Sequence, residues 1–167
     1  INAKLKDVFP GRFTTHSPAA VELHVTMDLM TSTIDYFALT ADTVSERLHS
    51  PKAKDLKNTL TLEDAGYFDR KRIIEINKEG GYVIGQAACS INPIIQTAYD
   101  YDGNELPQWR GKKLKELKLK DKNTPMDLTV RWPGYDMDFR VTALKKKRIG
   151  YLVKNLPHDT VPTADII

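Results

Sequence analysis

Residues 58–89 of the chain are NTLTLEDAGYFDRKRIIEINKEGGYVIGQAAC, and this stretch decides the fold class. An apolar strand pattern at 58–64 gives way to isoleucines at helical spacing, and a second strand pattern follows at 82–89. Asp69 is placed to cap the helix and Gly80–Gly81 to end it. A strand, a helix of about 11 residues and a strand predict the βαβ unit of a mixed α/β sheet.

Asp64 lies where the first of these strands ends. In open α/β sheets, chemistry collects beyond the carboxyl ends of strands. Metal-dependent phosphoryl chemistry needs hard oxygen ligands held on rigid elements. Asp64 is therefore a candidate metal ligand, with a turn acid at the helix entry as the alternative. Glu63 alternates to the other side of the strand and is predicted to be a bystander.

The remaining patterns predict strands at both ends of the chain. A hairpin is expected over 19–40, with its turn at the Thr-Ser-Thr of 31–33 and His24 as a packing residue. After Asn92–Pro93 a β-rich region is expected, and its predicted antiparallel strands are 126–132, 135–146 and 148–156.

Composition limits the class of protein. The 167 residues are 41% hydrophobic and 28% charged, which is ordinary for a globular protein. No apolar run approaches the roughly 18–20 residues that cross a bilayer. The lone Cys89 excludes an internal disulfide and fits a reducing cytosol, and it is predicted to be buried and inert.

Positive charge is concentrated in the second half. Residues 90–167 hold 14 Lys/Arg against 10 Asp/Glu, whereas residues 1–89 hold 11 against 12. The richest runs are 110–122 and 145–148, which indicate either a polyanionic partner or a solvated face. Candidate DNA contacts in these runs are Arg110, Lys112, Lys113, Lys145, Lys146, Lys147 and Arg148. Arg70 joins them, because basic residues in a first helical turn oppose the helix dipole and so suggest a nearby phosphate.

Three segments together resemble one family of enzymes. LTLEDAGYFDRKRIIEINKEGGYVI (60–84) resembles the segment around the second catalytic Asp of bacterial insertion-sequence transposases of the insertion-sequence-four family, which have an Asp-Asp-Glu catalytic domain. LKDVFPGRF with PAAVELHVTMDLMTS resembles the segment after the family's first Asp. YLVKNLPHDTVPTADII resembles its Leu-Thr-Asn-Leu-Pro strand and the approach to its Glu-bearing helix. The resemblance is collinear over nearly the whole chain.

The resemblance implies a ribonuclease-H-like mixed sheet core interrupted by a β-rich basic insertion. The core would span 1–90 without its first strand, the insertion 91–154, and the return to the core 155–167. The family's first Asp would fall before Ile1, and the Glu-bearing helix would start near Thr163 and pass Ile167. The chain is thus expected to be a central fragment that holds only Asp64 of the triad.

The implied parent enzyme uses two Mg²⁺ (or Mn²⁺) ions to cleave DNA at transposon ends and to join them to target DNA. Asp64 would be a metal ligand, and the fragment is expected to be inactive and to hold no metal tightly. The implied partners are DNA and a second copy in the parent complex, with no membrane, in the bacterial cytoplasm at the nucleoid. Trp132 would either stack on a flipped base, worth about 1–3 kcal/mol, or belong to the hairpin core.

Two positions depart from the family pattern, and two other functions stay open. Ala65 stands where the family usually has Arg, and Gly85–Gln86 stands where an Arg is common at the end of the next strand. The first alternative is a non-catalytic DNA-binding or interaction module from a decayed transposase. The second is a self-contained metal-dependent nuclease, for which only Asp28 and Asp42 could supply further carboxylates.

Overall fold

A computed structural model describes residues 3–13, 15–119, 124–145, 149–157 and 161–162. The chain divides into two compact units, Ile1–Lys52 and Ala53–Ile167. The fold is mixed α/β, with one α-helix and eight strands among the described residues. The predicted α/β class is confirmed at this level.

The first unit is built on an antiparallel hairpin. Strand β1 (Val21–Asp28) pairs with β2 (Thr33–Ala41). Asp28 stabilises the turn, because its Oδ1 accepts hydrogen bonds from the backbone N–H groups of Met30 at 2.8 Å and Thr31 at 3.2 Å. The predicted hairpin is confirmed.

His24 is the buried side chain of β1. It is 2% exposed, its ring stacks on His49 at 4.1 Å between centroids, and its Nε2 lies 2.8 Å from Thr40 Oγ1. The prediction that His24 is a packing residue is therefore confirmed. The apolar side chains that alternate with it, Leu23 and Val25, are about half exposed.

The second unit contains a six-stranded sheet covered on one face by a helix. Its elements are β3 (Leu60–Glu63), α1 (Arg70–Lys78), β4 (Tyr82–Ala87), β5 (Ile94–Tyr99), β6 (Met126–Arg131), β7 (Phe139–Lys145) and β8 (Ile149–Lys154). The strand order is β3-β4-β8-β7-β6-β5. β3 and β4 are parallel, as the βαβ pattern predicts, and all other pairs are antiparallel.

Helix α1 begins and ends where its capping residues predict. Asp69 Oδ1 accepts the Lys71 N–H at 2.9 Å. At the other end, Gly80 has φ of 78° and its N–H bonds Asn77 O, while the Gly81 N–H bonds Ile76 O at 2.9 Å. These two bonds form a Schellman motif, which needs a left-handed residue that only glycine adopts readily.

The core lies between α1 and one face of the sheet. Its fully buried members come from the helix and from five strands, and each contributes roughly 1.5–3 kcal/mol by leaving water. They are Ile73, Ile76, Val83, Ile95, Leu128, Val130, Phe139, Val141 and Val153.

One expectation about the sheet is wrong. The apolar pattern of the strand that ends at Asp64 predicts a central position in the sheet, next to the hairpin strand β1. Among the described residues β3 pairs with β4 alone and is an edge strand, and the hairpin strands pair only with each other. The short apolar pattern suggests a buried strand, but Leu60 and Leu62, which share one face, are 49% and 59% exposed.

The sequence patterns also miss one strand. They do not predict β5 (Ile94–Tyr99), although it forms the other edge of the sheet. The sheet runs from β3 and β4 into the region expected as an insertion, because β8 pairs directly with β4.

Candidate functional site

Asp64 occupies the position that the sequence predicts, directly after the carboxyl end of β3. Its Oδ1 accepts the Gly66 N–H at 2.9 Å, and its backbone carbonyl accepts the Tyr67 N–H at 3.3 Å. The side chain forms a turn between strand and helix and is exposed. The carboxylate is therefore held by the turn and open to solvent, which suits both a metal ligand and a turn acid.

Glu63 faces the other way and is engaged in an ion pair. Its Oε1 accepts from Arg72 Nε at 3.0 Å, and the two side chains are 7% and 12% exposed. Burial raises the pKa of the Glu63 carboxyl, and the Arg72 guanidinium opposes that rise. This ion pair fixes the first turn of α1 against β3 and so positions the loop that carries Asp64.

Two predicted DNA contacts, Arg70 and Trp132, touch each other. The Arg70 guanidinium lies 5.6 Å from the Trp132 ring centroid and 5.2 Å from that of Tyr135, which is cation–π geometry. Trp132 is 5% exposed and meets Phe139 edge-to-face at 4.9 Å. Its ring belongs to the core, as the hairpin-core interpretation proposes, and stacking on a base would require it to leave that core.

The basic residues after Trp109 form one exposed surface, the basic ridge. It consists of the exposed side chains of Arg110, Lys112, Lys113, Lys115 and Lys118. Between them Leu114, Leu117 and Leu119 are buried and anchor the segment. Glu116 is the single acid within 109–119, and its Oε1 accepts the Lys113 N–H at 3.0 Å.

The ridge is held against the edge strand β5. The Ile95 N–H donates to Lys112 O at 2.9 Å, and the Leu114 N–H donates to Pro93 O at 2.9 Å. Lys112 Nζ also lies 5.0 Å from the Trp109 ring centroid. Asp64 follows β3, at the opposite edge of the six-stranded sheet. With strands about 4.8 Å apart, the two sheet edges are separated by roughly 20–25 Å.

The second basic cluster is described only at Lys145. This side chain is half-buried, and its Nζ donates to Leu119 O at 3.0 Å. Lys145 therefore stabilises the segment that carries the ridge. Lys146, Lys147 and Arg148 lie outside the described residues.

Asp28 and Asp42, the further carboxylates that a self-contained nuclease would need, have structural contacts in the hairpin unit. Hydrogen bonds from the Met30 and Thr31 N–H groups lower the pKa of Asp28. Asp42 Oδ2 accepts the Arg12 N–H at 3.0 Å, a bond that lowers the pKa of the Asp42 carboxyl. Both acids thus have structural partners within their own unit.

Among the residues that the structure describes, no group of three or more His, Cys, Asp or Glu side chains could hold a metal ion. A Mg²⁺ ion takes about six oxygen ligands, of which one or two are usually carboxylates, and a centre for two ions needs correspondingly more. The described chain brings one carboxylate, Asp64, to the end of β3. These residues alone do not fit the two-metal centre that the resemblance implies.

The sequence patterns miss a buried charged cluster. On the sheet face away from α1, Arg140 donates from Nε to both oxygens of Asp127, at 3.1 and 2.8 Å. Lys154 Nζ lies 3.9 Å from Asp127 Oδ1 and donates to Thr142 Oγ1. All four side chains are 5% exposed or less. In each of the three strands the charged residue alternates with the core residues, so the sequence pattern predicts a solvated side chain and gives no signal of this burial.

Two other features bear on the expectations. Cys89 is exposed, so the prediction that it is buried is wrong: β4 ends at Ala87, and Cys89 lies in the turn that follows.

Within the described part of the chain, no helix has the length and apolar character to cross a membrane.

Comparison of the chain with known protein families, with curated proteins and with solved structures gives no match.

Proposed function

We propose that this chain is the central part of a transposase catalytic domain of the insertion-sequence-four type, with Asp64 as one of three metal-binding carboxylates. One observation carries the proposal. Asp64 stands at the carboxyl end of β3 and is followed by a capped helix and a strand parallel to β3. This is the order of elements that the resemblance implies for the family's second Asp, and it puts the carboxylate where open α/β sheets collect their chemistry.

The outer edge of β3 supports a ribonuclease-H-like core. The resemblance implies that this core lacks its first strand here, and a missing strand needs an open edge to pair with. Within the described residues, the backbone of β3 pairs on one side only, with β4. An unpaired edge carrying half-exposed Leu60 and Leu62 is a template for a further strand.

Metal ions bound at such a site would stabilise the attacking and leaving oxygens during in-line displacement at phosphorus. Asp64 would supply one ligand, and the other two carboxylates would come from the flanking segments. The contribution of this chain is to hold Asp64 at a fixed strand end, through the Gly66 turn and the Glu63–Arg72 pair.

The proposal predicts an activity that depends on segments beyond these 167 residues. The isolated chain should not nick or join a labelled duplex that carries the element's ends, with or without Mn²⁺. The protein extended through the first Asp and the Glu-bearing helix should do so, and its Asp64→Asn form should be slower by about 10³-fold or more. Metal-dependent cleavage by the isolated chain would instead favour the self-contained nuclease.

The basic ridge is the proposed phosphate contact. Replacing Lys112, Lys113, Lys115 and Lys118 with Ala should weaken DNA binding and reduce the slope of log affinity against log salt by about 3–4, since each phosphate that is no longer neutralised removes roughly 0.9. The matched control replaces four exposed lysines elsewhere in the chain: Lys52, Lys54, Lys57 and Lys78. An equal fall in slope for the control would show that net charge, rather than the ridge, sets the affinity.

A non-catalytic DNA-binding module is the second candidate function. It is favoured by Ala65 and Gly85, which stand where the family has Arg, and by the separation of the ridge from Asp64 across the sheet. The same experiments distinguish it: the extended protein would then bind DNA through the ridge without cleaving it.

A further inference from the structure

The described residues after β8 make hydrogen bonds to the rest of the sheet unit at two places. The first is Asn155, whose side chain extends the pairing of β8 with β4. Its Oδ1 accepts the Val83 N–H at 2.8 Å, and its Nδ2 donates to Gly81 O at 2.9 Å and to Asn77 Oδ1 at 3.1 Å. One amide thus ties the end of β8 to the start of β4 and to the last turn of α1.

The second fastening is Arg140, whose guanidinium has two distinct sides. Nε faces Asp127, whereas Nη1 donates to the carbonyl oxygens of Pro157 at 2.9 Å and Val161 at 2.7 Å. A longer contact of 3.5 Å reaches Leu156 O. The Arg140 side chain is 5% exposed, and its charge-assisted bonds to the two carbonyls are partly buried.

We propose that Arg140 is a positioning residue: it fixes the course of the chain after β8 by binding the carbonyls of Pro157 and Val161. The consequence for catalysis rests on the proposed function, in which the chain beyond Val161 leads to the third carboxylate. A segment held at both Asn155 and Arg140 enters the following helix from a fixed point, and effective two-metal chemistry needs its ligands placed to within about 0.5 Å.

A pair of substitutions separates the two sides of the guanidinium. Arg140→Lys keeps a cation beside Asp127 but cannot also reach the carbonyls, because lysine is a single point donor. Asp127→Asn removes the carboxylate charge but leaves Nη1 on the carbonyls. Both variants disturb the same buried pair, so each one needs an internal reference for its general effect on the sheet.

The measurement is hydrogen exchange of the Val161 amide by NMR, relative to the Val141 amide within the sheet. The Val161 N–H donates to Pro157 O at 3.3 Å, so it reports on the fastened segment. We expect Arg140→Lys to raise the exchange of Val161 relative to Val141 about tenfold or more, and Asp127→Asn to leave that ratio unchanged. An unchanged ratio in Arg140→Lys, or an equal rise in both variants, would overturn the proposal.

Two further measurements keep the test decisive. If Arg140→Lys does not fold, the wild-type chain is measured by itself. A Val161 amide that exchanges there at the rate of an unprotected peptide would contradict the positioning role of Arg140. In the extended protein, Arg140→Lys should lower the cleavage rate at saturating DNA about tenfold or more with unchanged DNA affinity. If Arg140→Lys raises the exchange of Val161 but leaves the cleavage rate of the extended protein unchanged, the positioning role is refuted. An extended wild type that does not cleave would refute the proposed function. The ratio of Val161 to Val141 exchange would still show whether Arg140 holds the segment.

Discussion

Replacement of Asp127 by alanine is expected to lower the free energy of unfolding of the sheet unit by about 3–5 kcal/mol. The carboxylate is the shared partner of two buried cations, Arg140 at 5% and Lys154 at 0% exposure. Without it, two positive charges remain buried on adjacent strands with only neutral acceptors. Chemical denaturation followed by tryptophan fluorescence measures the loss, because both tryptophans of the chain belong to this unit and Trp132 is buried.

A matched exposed pair provides the control. Arg131 and Asp138 form an ion pair with Nε–Oδ1 at 2.6 Å on the surface of the same sheet. Asp138→Ala should change the unfolding curve little, because exposed pairs are screened and well hydrated. Combining Asp127→Ala with Lys154→Met should recover part of the loss, since one of the two stranded charges is then gone. If Asp127→Ala cost no more than Asp138→Ala, the buried cluster would not stabilise the fold.

The features that the sequence predicts well are those with local causes. Helix α1 is predicted correctly because Asp69 caps it through a bond two residues away, and Gly80 and Gly81 close it through bonds within one turn. The position of Asp64 follows for the same reason, since a strand end and a helix start frame it on either side.

The order of the strands has non-local causes, and the sequence patterns do not predict it. β4 meets β8 across about 70 residues, and the Asn155 amide completes that pairing at the Val83 N–H. No pattern within β3 shows that one of its edges is unpaired in the described chain. A strand pattern fixes which side chains share a face, but it does not fix the neighbour on either edge.

The candidate site divides in the same way. The run of lysines predicts the basic ridge. The leucines among them are buried and turn the basic side chains to the surface. The burial of Trp132 under Arg70 depends on a contact between α1 and the turn after β6, which no local pattern reveals. Within its own strand, each of Asp127, Arg140 and Lys154 is consistent with a solvated side chain. Only the pairing of β6, β7 and β8 brings the three charges together.

Stability of the sheet unit is expected to rise with pH between about 7 and 9.5, whereas a lysine whose pKa is the same in the folded and unfolded chain would add no pH dependence. Burial lowers the pKa of Lys154 from 10.5 to about 8; the Asp127 carboxylate opposes this shift, and Arg140 adds to it. Between pH 8 and 10.5 the unfolded chain therefore holds a proton that the folded chain has released. Stability increases with pH wherever the unfolded state binds more protons.

The expected gain is about 2 kcal/mol between pH 7 and 9.5, at roughly 1.36 kcal/mol per pKa unit. The upper limit is set by Tyr151: burial raises the pKa of its phenol above 10.0, so folding retains that proton longer and stability falls again at higher pH. The charged and polar groups that face Lys154 are Asp127 from β6 and Arg140 and Thr142 from β7.

Urea denaturation at several pH values, followed by tryptophan fluorescence, measures this dependence, with Lys154→Met as the comparison. Methionine keeps the length of the side chain and carries no titrating group, so its curve should be flat over the same range. A wild-type curve without the rise would mean that Lys154 keeps its proton in the folded sheet. A rise that persists in Lys154→Met would assign the titration to another group.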